Sequence, residues 1–212
     1  MMIKKYFYND KFYKDIIKKK GDPKIIKEYK KILKYKKMIK FVFQDKPLGT
    51  GDAAYKTKKF ITDKYFLMLL PDDLIIKKNC SKSMILVHKK FKTSVMASMK
   101  VNKNDVSRWG IYNIKKKINK DNFIINNVVE KPSIKTSPSN NAVIGRYILP
   151  KKIFSKLKSL KPGKSGEFHI TDAIQGLIDD DNQFIGHNFS GKYLDCGTMK
   201  GYIKSTLEIS KQ

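Results

Sequence analysis

Six consecutive uncharged residues, Phe66 to Pro71, run directly into Asp72 and Asp73 within the stretch YFLMLLPDDLII (65–76). An apolar run this short, bounded by turn residues, predicts a buried strand. Related runs recur along the chain. Strands are predicted over 38–44 (MIKFVFQ), 64–71, 93–101 (TSVMASMKV), 122–132 (NFIINNVVEKP) and 141–150 (NAVIGRYILP). Between them, PLGTGDAAYKTKKFI (47–61) reads as a glycine turn entering a helix. Helices are also predicted over 81–91, over 171–180 with Thr171 as N-cap, and over 200–211. The stretch 184–197 suggests a short hairpin. Strands alternating with helices predict an α/β fold built on a largely parallel sheet.

Before this alternation the chain is dense in lysine. Ile25, Tyr29, Ile32 and Leu33 fall at helical spacing, so 10–38 predicts a helix pair broken at Gly21-Asp22-Pro23. The 212 residues therefore read as a single domain, with a lysine-rich helical segment over 1–38 and the sheet over 39–212.

The charge is extreme, with 46 basic against 19 acidic residues and a net charge of +27. That balance first suggests nucleic acid as a partner. Its composition argues otherwise, because only Arg108 and Arg146 are arginines. Base-edge and phosphate recognition favours arginine's planar fork. Scattered lysine implies loose attraction to polyanions rather than specific nucleic-acid binding. No apolar run approaches the roughly 20 residues that cross a membrane, and the N-terminus shows no secretory signal. Cys80 and Cys196 follow no metal-ligand spacing, which suits a reducing, cytoplasmic setting.

Four stretches carry candidate chemistry. In open α/β sheets, ligands sit at the carboxyl ends of strands. Asp72 and Asp73 lie at such an end, where a carboxylate can hold magnesium or, alternatively, shape the turn. QDKPLGTGDAAY (44–55) offers glycine-freed backbone N–H groups, or an ordinary tight turn. In VVEKP (128–132), Glu130 can accept sugar hydroxyls and Lys131 can neutralise a phosphate; a solvated loop is the other reading. In YLDCGT (193–198), Asp195 is either a second metal carboxylate or a turn-former.

The order and spacing of these pieces, with RWG, SNNAVIGRYIL, GEFHITDAI and the final MKGYI, resembles the bacterial UTP–glucose-1-phosphate uridylyltransferases of the sugar-nucleotidyltransferase superfamily. The resemblance runs from about Phe41 to the C-terminus. It implies a Rossmann-like (GT-A-type), mixed, mostly parallel sheet and UDP-glucose formation from UTP and glucose 1-phosphate. It also implies Mg2+ held by Asp72 and Asp195, with Asp73 shaping the turn. Gln44 and the turn at Gly49 would meet uracil, Gly110 and Glu130 the glucose, and Lys131 the sugar phosphate. Asp72, Lys131 and Asp195 form the implied catalytic set, and a homo-oligomer is implied as well.

The sequence departs from the family in three places. Trp109 stands where tyrosine is usual, and Asp52 where histidine is common. The family pattern also opens with a strand, a G.GTR phosphate loop and a PK segment, for which no counterpart is seen. An N-terminally truncated fold is therefore expected, unable to complete the site alone. The phosphate loop would come from a partner fragment, or the chain would be a non-catalytic piece, or the true start of the sequence would lie upstream.

Overall fold

A computed structural model describes residues 21–163 and 166–211, together with Lys4, Tyr8, Lys11, Lys14, Asp15 and Ile17. The chain divides into two units, Met1–Asp45 and Lys46–Gln212.

In the first unit, helix α1 spans Pro23–Lys36. Asp22 caps it by accepting from the Lys24 N–H at 2.8 Å, and Pro23 fills the first turn, where its missing N–H costs nothing. The helix expected ahead of Gly21 falls largely outside the described residues, although Lys11, Lys14, Asp15 and Ile17 within it are helical. The strand expected over 38–44 does not form; its residues belong to neither sheet. Apolar and aromatic composition supplies strand propensity, but a strand exists only through its ladder.

The second unit begins with α2 (Thr50–Lys56) and a 3-10 turn (Lys58–Phe60). Then follow β1 (Tyr65–Leu69), β2 (Asp73–Ile76), α3 (Cys80–Phe91) and β3 (Ser94–Lys100). After a second 3-10 turn (Lys103–Arg108) come β4 (Gly110–Lys117), β5 (Asn122–Glu130) and β6 (Asn141–Pro150). The chain closes with α4 (Ile153–Ser159), α5 (Ile170–Asp179), β7 (Phe184–Asn188), β8 (Lys192–Asp195) and α6 (Met199–Ile209).

Six strands form one sheet in the order β1-β6-β3-β7-β5-β4, while β2 and β8 form a separate ladder. The sheet is mixed, but the expectation of mostly parallel pairing is corrected. Among the described residues only β3 and β7 pair in parallel. Strands β1, β3 and β7 do point the same way, as alternation with helices predicts. Strand β6 inserts between β1 and β3 and runs against both. A strand that returns from 40 or so residues away leaves no local mark of its direction.

The predicted hairpin over 184–197 is also corrected: β7 joins the large sheet and β8 pairs with β2. Thr171 is not the N-cap of α5. His169 holds that position without a side-chain cap bond, and the Ile170 N–H instead donates to the Thr50 hydroxyl of α2 at 3.1 Å. An acceptor from another helix satisfies the orphan N–H that a local cap would have taken.

Apolar cover lies on both faces of the large sheet. On one, α2, α4 and α5 bring Ala54, Phe154, Leu157 and Ile174 against Met96, Phe123, Tyr147 and Leu149. On the other, Cys80 and Met84 of α3 meet Val95, Ala97, Ile144 and Ile148. Neighbours such as Val95 and Met96 serve opposite faces because successive strand side chains alternate. Among the described residues no helix is long and apolar enough to cross a membrane.

Candidate active site

The chain between β1 and β2 is held by its backbone. The Leu70 N–H donates to the Gly145 carbonyl at 2.8 Å, and the Gly145 N–H donates to Asp73 Oδ2 at 2.6 Å. Arg146 Nη1 donates to the carbonyls of Leu70 (2.7 Å) and Gly145 (3.0 Å), and Nη2 donates to the carbonyl of Asp73. From the other ladder, the Cys196 N–H donates to the Asp72 carbonyl at 2.8 Å. Pro71 and Asp72 therefore sit in a turn clamped before and after. Asp73 faces inward, where its Oδ1 also takes the Tyr193 hydroxyl at 2.5 Å. This is the turn-shaping role its position suggests. Asp72 stays exposed.

Asp195 ends β8 and is the cross-strand partner of Asp73. Its Oδ1 accepts from the Gly197 N–H at 2.9 Å. A Cβ on Gly197 would lie 2.9 Å from Asp72 Oδ2 and 3.4 Å from Asp195 Oδ1. The two carboxylates thus flank one glycine, and the missing side chain leaves the space they share. Immediately after, the Thr198 hydroxyl caps α6 by accepting from the Gly201 N–H at 3.0 Å.

Gly110 and Glu130 oppose each other across the β4–β5 ladder. A Cβ on Gly110 would lie 3.0 Å from Glu130 Oε2, so the glutamate leans over the space that the glycine leaves open. Next to it, Lys131 adopts a left-handed backbone with φ of 45°, and its N–H donates to the Trp109 carbonyl at 2.9 Å. That conformation is uncommon for a side chain of this size and redirects the chain at the end of β5.

The acids converge electrostatically as well. Burial pushes the Tyr147 hydroxyl well above its ordinary value, and the negative charges of Asp73 and Glu130 add to the shift. Burial, then its bond to Asp73, does the same for Tyr193. Both phenols stay protonated at neutral pH, so Tyr193 is a donor to Asp73. A groove of about 590 Å³ opens beside Asp195 and is lined by Arg108, Trp109, Lys192, Tyr193, Lys200 and Lys204. Glu208 lines it too and pairs with Lys192 at 2.5 Å, so Lys200 and Lys204 are the cations that suit an anionic ligand beside Asp195.

The glycine turn at 49–51 is committed to a close approach within the protein. Gly49, with φ of 94°, precedes α2. The Gly51 N–H donates to the Phe168 carbonyl at 2.7 Å, and a Cβ on either glycine would come within 2.8 Å of that oxygen. Gln44 belongs to the first unit and Gly49 to the second.

The site thus brings Asp72 and Asp195 together, and sets Glu130 against Gly110. The donor set fits a hard divalent cation, which takes one or two carboxylates and completes its shell with water and phosphate oxygens. Among the described residues no group of three or more His, Cys, Asp or Glu could hold a metal. Sequence reasoning gave no part to Arg146, Tyr193, Gly145 or Gly197. The scarcity of arginine was the one available signal for Arg146.

A profile of the family described as nucleotidyl transferase matches residues 5–212. A UTP–glucose-1-phosphate uridylyltransferase of Pseudomonas aeruginosa is 35% identical over 74% of this chain and 57% of its own length. One of Staphylococcus saprophyticus is 31% identical over 98% of this chain and 72% of its own length. A crystal structure of a UDP-glucose pyrophosphorylase complexed with UDP-glucose superposes with a TM-score of 0.74 at 34% identity, covering 82% of this chain and 66% of that one. The chain spans only part of each of these relatives.

Proposed function

The chain belongs to the nucleotidyl transferase family, and from that premise we propose that it serves uridylyl transfer from UTP to glucose 1-phosphate. The products are UDP-glucose and pyrophosphate. The observation that carries this reading is the convergence of Asp72 and Asp195 on Gly197.

In such a transfer, a sugar-phosphate oxygen attacks the α-phosphorus of the nucleotide in line, and pyrophosphate leaves. The protein's task is positioning and charge neutralisation rather than covalent chemistry. Asp72 and Asp195 would hold Mg2+, which when bound offsets charge at the phosphates. Glu130 accepts hydrogen bonds from sugar hydroxyls, and Gly110 leaves room for the ring. Lys131 neutralises the phosphate of glucose 1-phosphate and keeps the attacking oxygen directed. By the resemblance, Gln44 in the first unit would offer an amide, and Gly49 in the second a backbone turn, of the kinds that match a uracil edge.

The test is pyrophosphate release from UTP, glucose 1-phosphate and Mg2+ by the purified chain. It is run with and without a co-expressed fragment bearing a glycine-rich phosphate loop. Release in either arm, dependent on glucose 1-phosphate, supports the assignment. Silence in both from a folded chain refutes it.

A further inference from the structure

We propose that Arg146 is a positioning residue for the Asp72 carboxylate, fixing the turn that presents it to a divalent cation. The inference deepens the uridylyl-transfer reading and rests on it for its catalytic meaning.

Arg146 touches neither carboxylate of the proposed metal pair. Its guanidinium instead takes carbonyls from both ends of the Asp72 turn, Leu70 before it and Asp73 after it, and adds the Gly145 carbonyl. Three acceptors in different directions need several donors in a rigid plane. Lysine offers one nitrogen on a flexible stem and cannot span them together.

The composition sharpens this point. Of 46 basic residues only two are arginine, so lysine stands almost wherever a positive charge suffices. Arg108 places its guanidinium 5.9 Å from the Trp109 ring centre, a contact in which a planar cation also differs from an ammonium. Arg146 is the other exception, and it closes the turn carrying Asp72.

The clamp has a second arm. Asp73 is tied to the Gly145 N–H and to Tyr193, which lies on the same ladder as Asp195. One network therefore spans both strands that present the acid pair. Loosening it separates Asp72 from Asp195 without removing either. Groups that orient metal ligands in this way typically change metal affinity or activity by 10–100-fold when replaced.

The experiment uses the full 212-residue chain and Mn2+ as the probe, titrated by electron paramagnetic resonance. Wild type, Arg146→Lys and Tyr193→Phe are compared, with thermal melts of each and pyrophosphate release measured in parallel. Arg146→Lys is expected to bind Mn2+ about tenfold more weakly while melting close to wild type. Unchanged Mn2+ affinity in folded Arg146→Lys overturns the proposal, as does a wild-type chain that binds no Mn2+. Should Arg146→Lys melt far below wild type, Tyr193→Phe decides: a loss of about threefold or more in affinity supports the network, on the scale of outer-shell effects, and no loss overturns it. A wild type that transfers no uridylyl group, but whose Mn2+ affinity still falls with Arg146→Lys, refutes the functional reading and leaves the positioning role standing.

Discussion

Gly145→Ala tests how tightly the site turn is packed. A Cβ at this position would stand 2.5 Å from Asp73 Oδ2 and 2.6 Å from two carbons of Leu70. Ordinary contacts between such atoms are roughly 3.5–4.0 Å, so both neighbours must retreat by about 1 Å. Neither is a loose surface end, because Asp73 is bonded to Tyr193 and the Leu70 N–H is bonded to the Gly145 carbonyl. The retreat sacrifices the 2.6 Å bond from the Gly145 N–H to Asp73. A hydrogen bond to a charged group contributes about 1.5–3 kcal/mol, and overpacking costs about 1–3 kcal/mol. The two losses share atoms and do not simply add, so the expected cost is about 3–4 kcal/mol. For a chain of 150–250 residues each kcal/mol moves the midpoint by about 2–4 °C, so the melt should fall by about 10 °C. Circular dichroism at 222 nm against temperature reads this directly. A midpoint within 2 °C of wild type would refute the packing argument, since it would mean the turn accommodates a methyl group freely.

Asp195→Asn preserves volume and leaves an oxygen to accept from Gly197, so it should melt within about 2 °C of wild type. Its Mn2+ affinity should fall at least tenfold, measured by the same resonance titration; retained affinity would remove Asp195 from the proposed metal pair. His187 sits between Asn122 Oδ1 (2.9 Å) and the Ser83 hydroxyl (3.1 Å), and burial lowers its pKa from 6.5, with Asp121 partly opposing. The unfolded chain therefore takes up a proton at this position near pH 6.5 that the folded chain refuses, so this contribution to stability is present above pH 6.5 and is lost as the pH falls below it. Urea midpoints at pH 7.5 and 5.5 should differ less in His187→Gln than in wild type, and equal differences would contradict the assignment.

Strands whose apolar pattern is uninterrupted were legible from sequence. The predicted strand 141–150 is β6 (Asn141–Pro150), and 93–101 contains β3 (Ser94–Lys100). Strand β4 escaped notice because Lys115, Lys116 and Lys117 end it in exposed charge. Strand β2 escaped because four half-buried residues after a turn carry little periodicity. What sequence could not reveal was pairing. The segments around Asp72 and Asp195 each read as a strand end or turn, but only the β2–β8 ladder places them beside the same glycine. The uridylyltransferase resemblance joined them in advance, through motif order. Arg146 and Tyr193 remained silent because their importance lies in carbonyls and a carboxylate more than 70 residues away.

The clamp also dictates when the site can appear during folding. Arg146 reaches its turn carbonyls across 73 and 76 residues, and Tyr193 reaches Asp73 across 120. Contacts so distant in sequence require large loops to close before they return any stabilisation. Strand β6 has to settle between β1 and β3, and β8 has to find β2. Domains begin to fold during synthesis as segments emerge from the ribosome. Asp72 is made well before Arg146 and Tyr193, so its turn gains the first brace only with β6 and the second only with β8. A chain interrupted between Arg146 and Tyr193 keeps the first brace but lacks both the second and Asp195, so the two carboxylates meet only once β8 has joined β2.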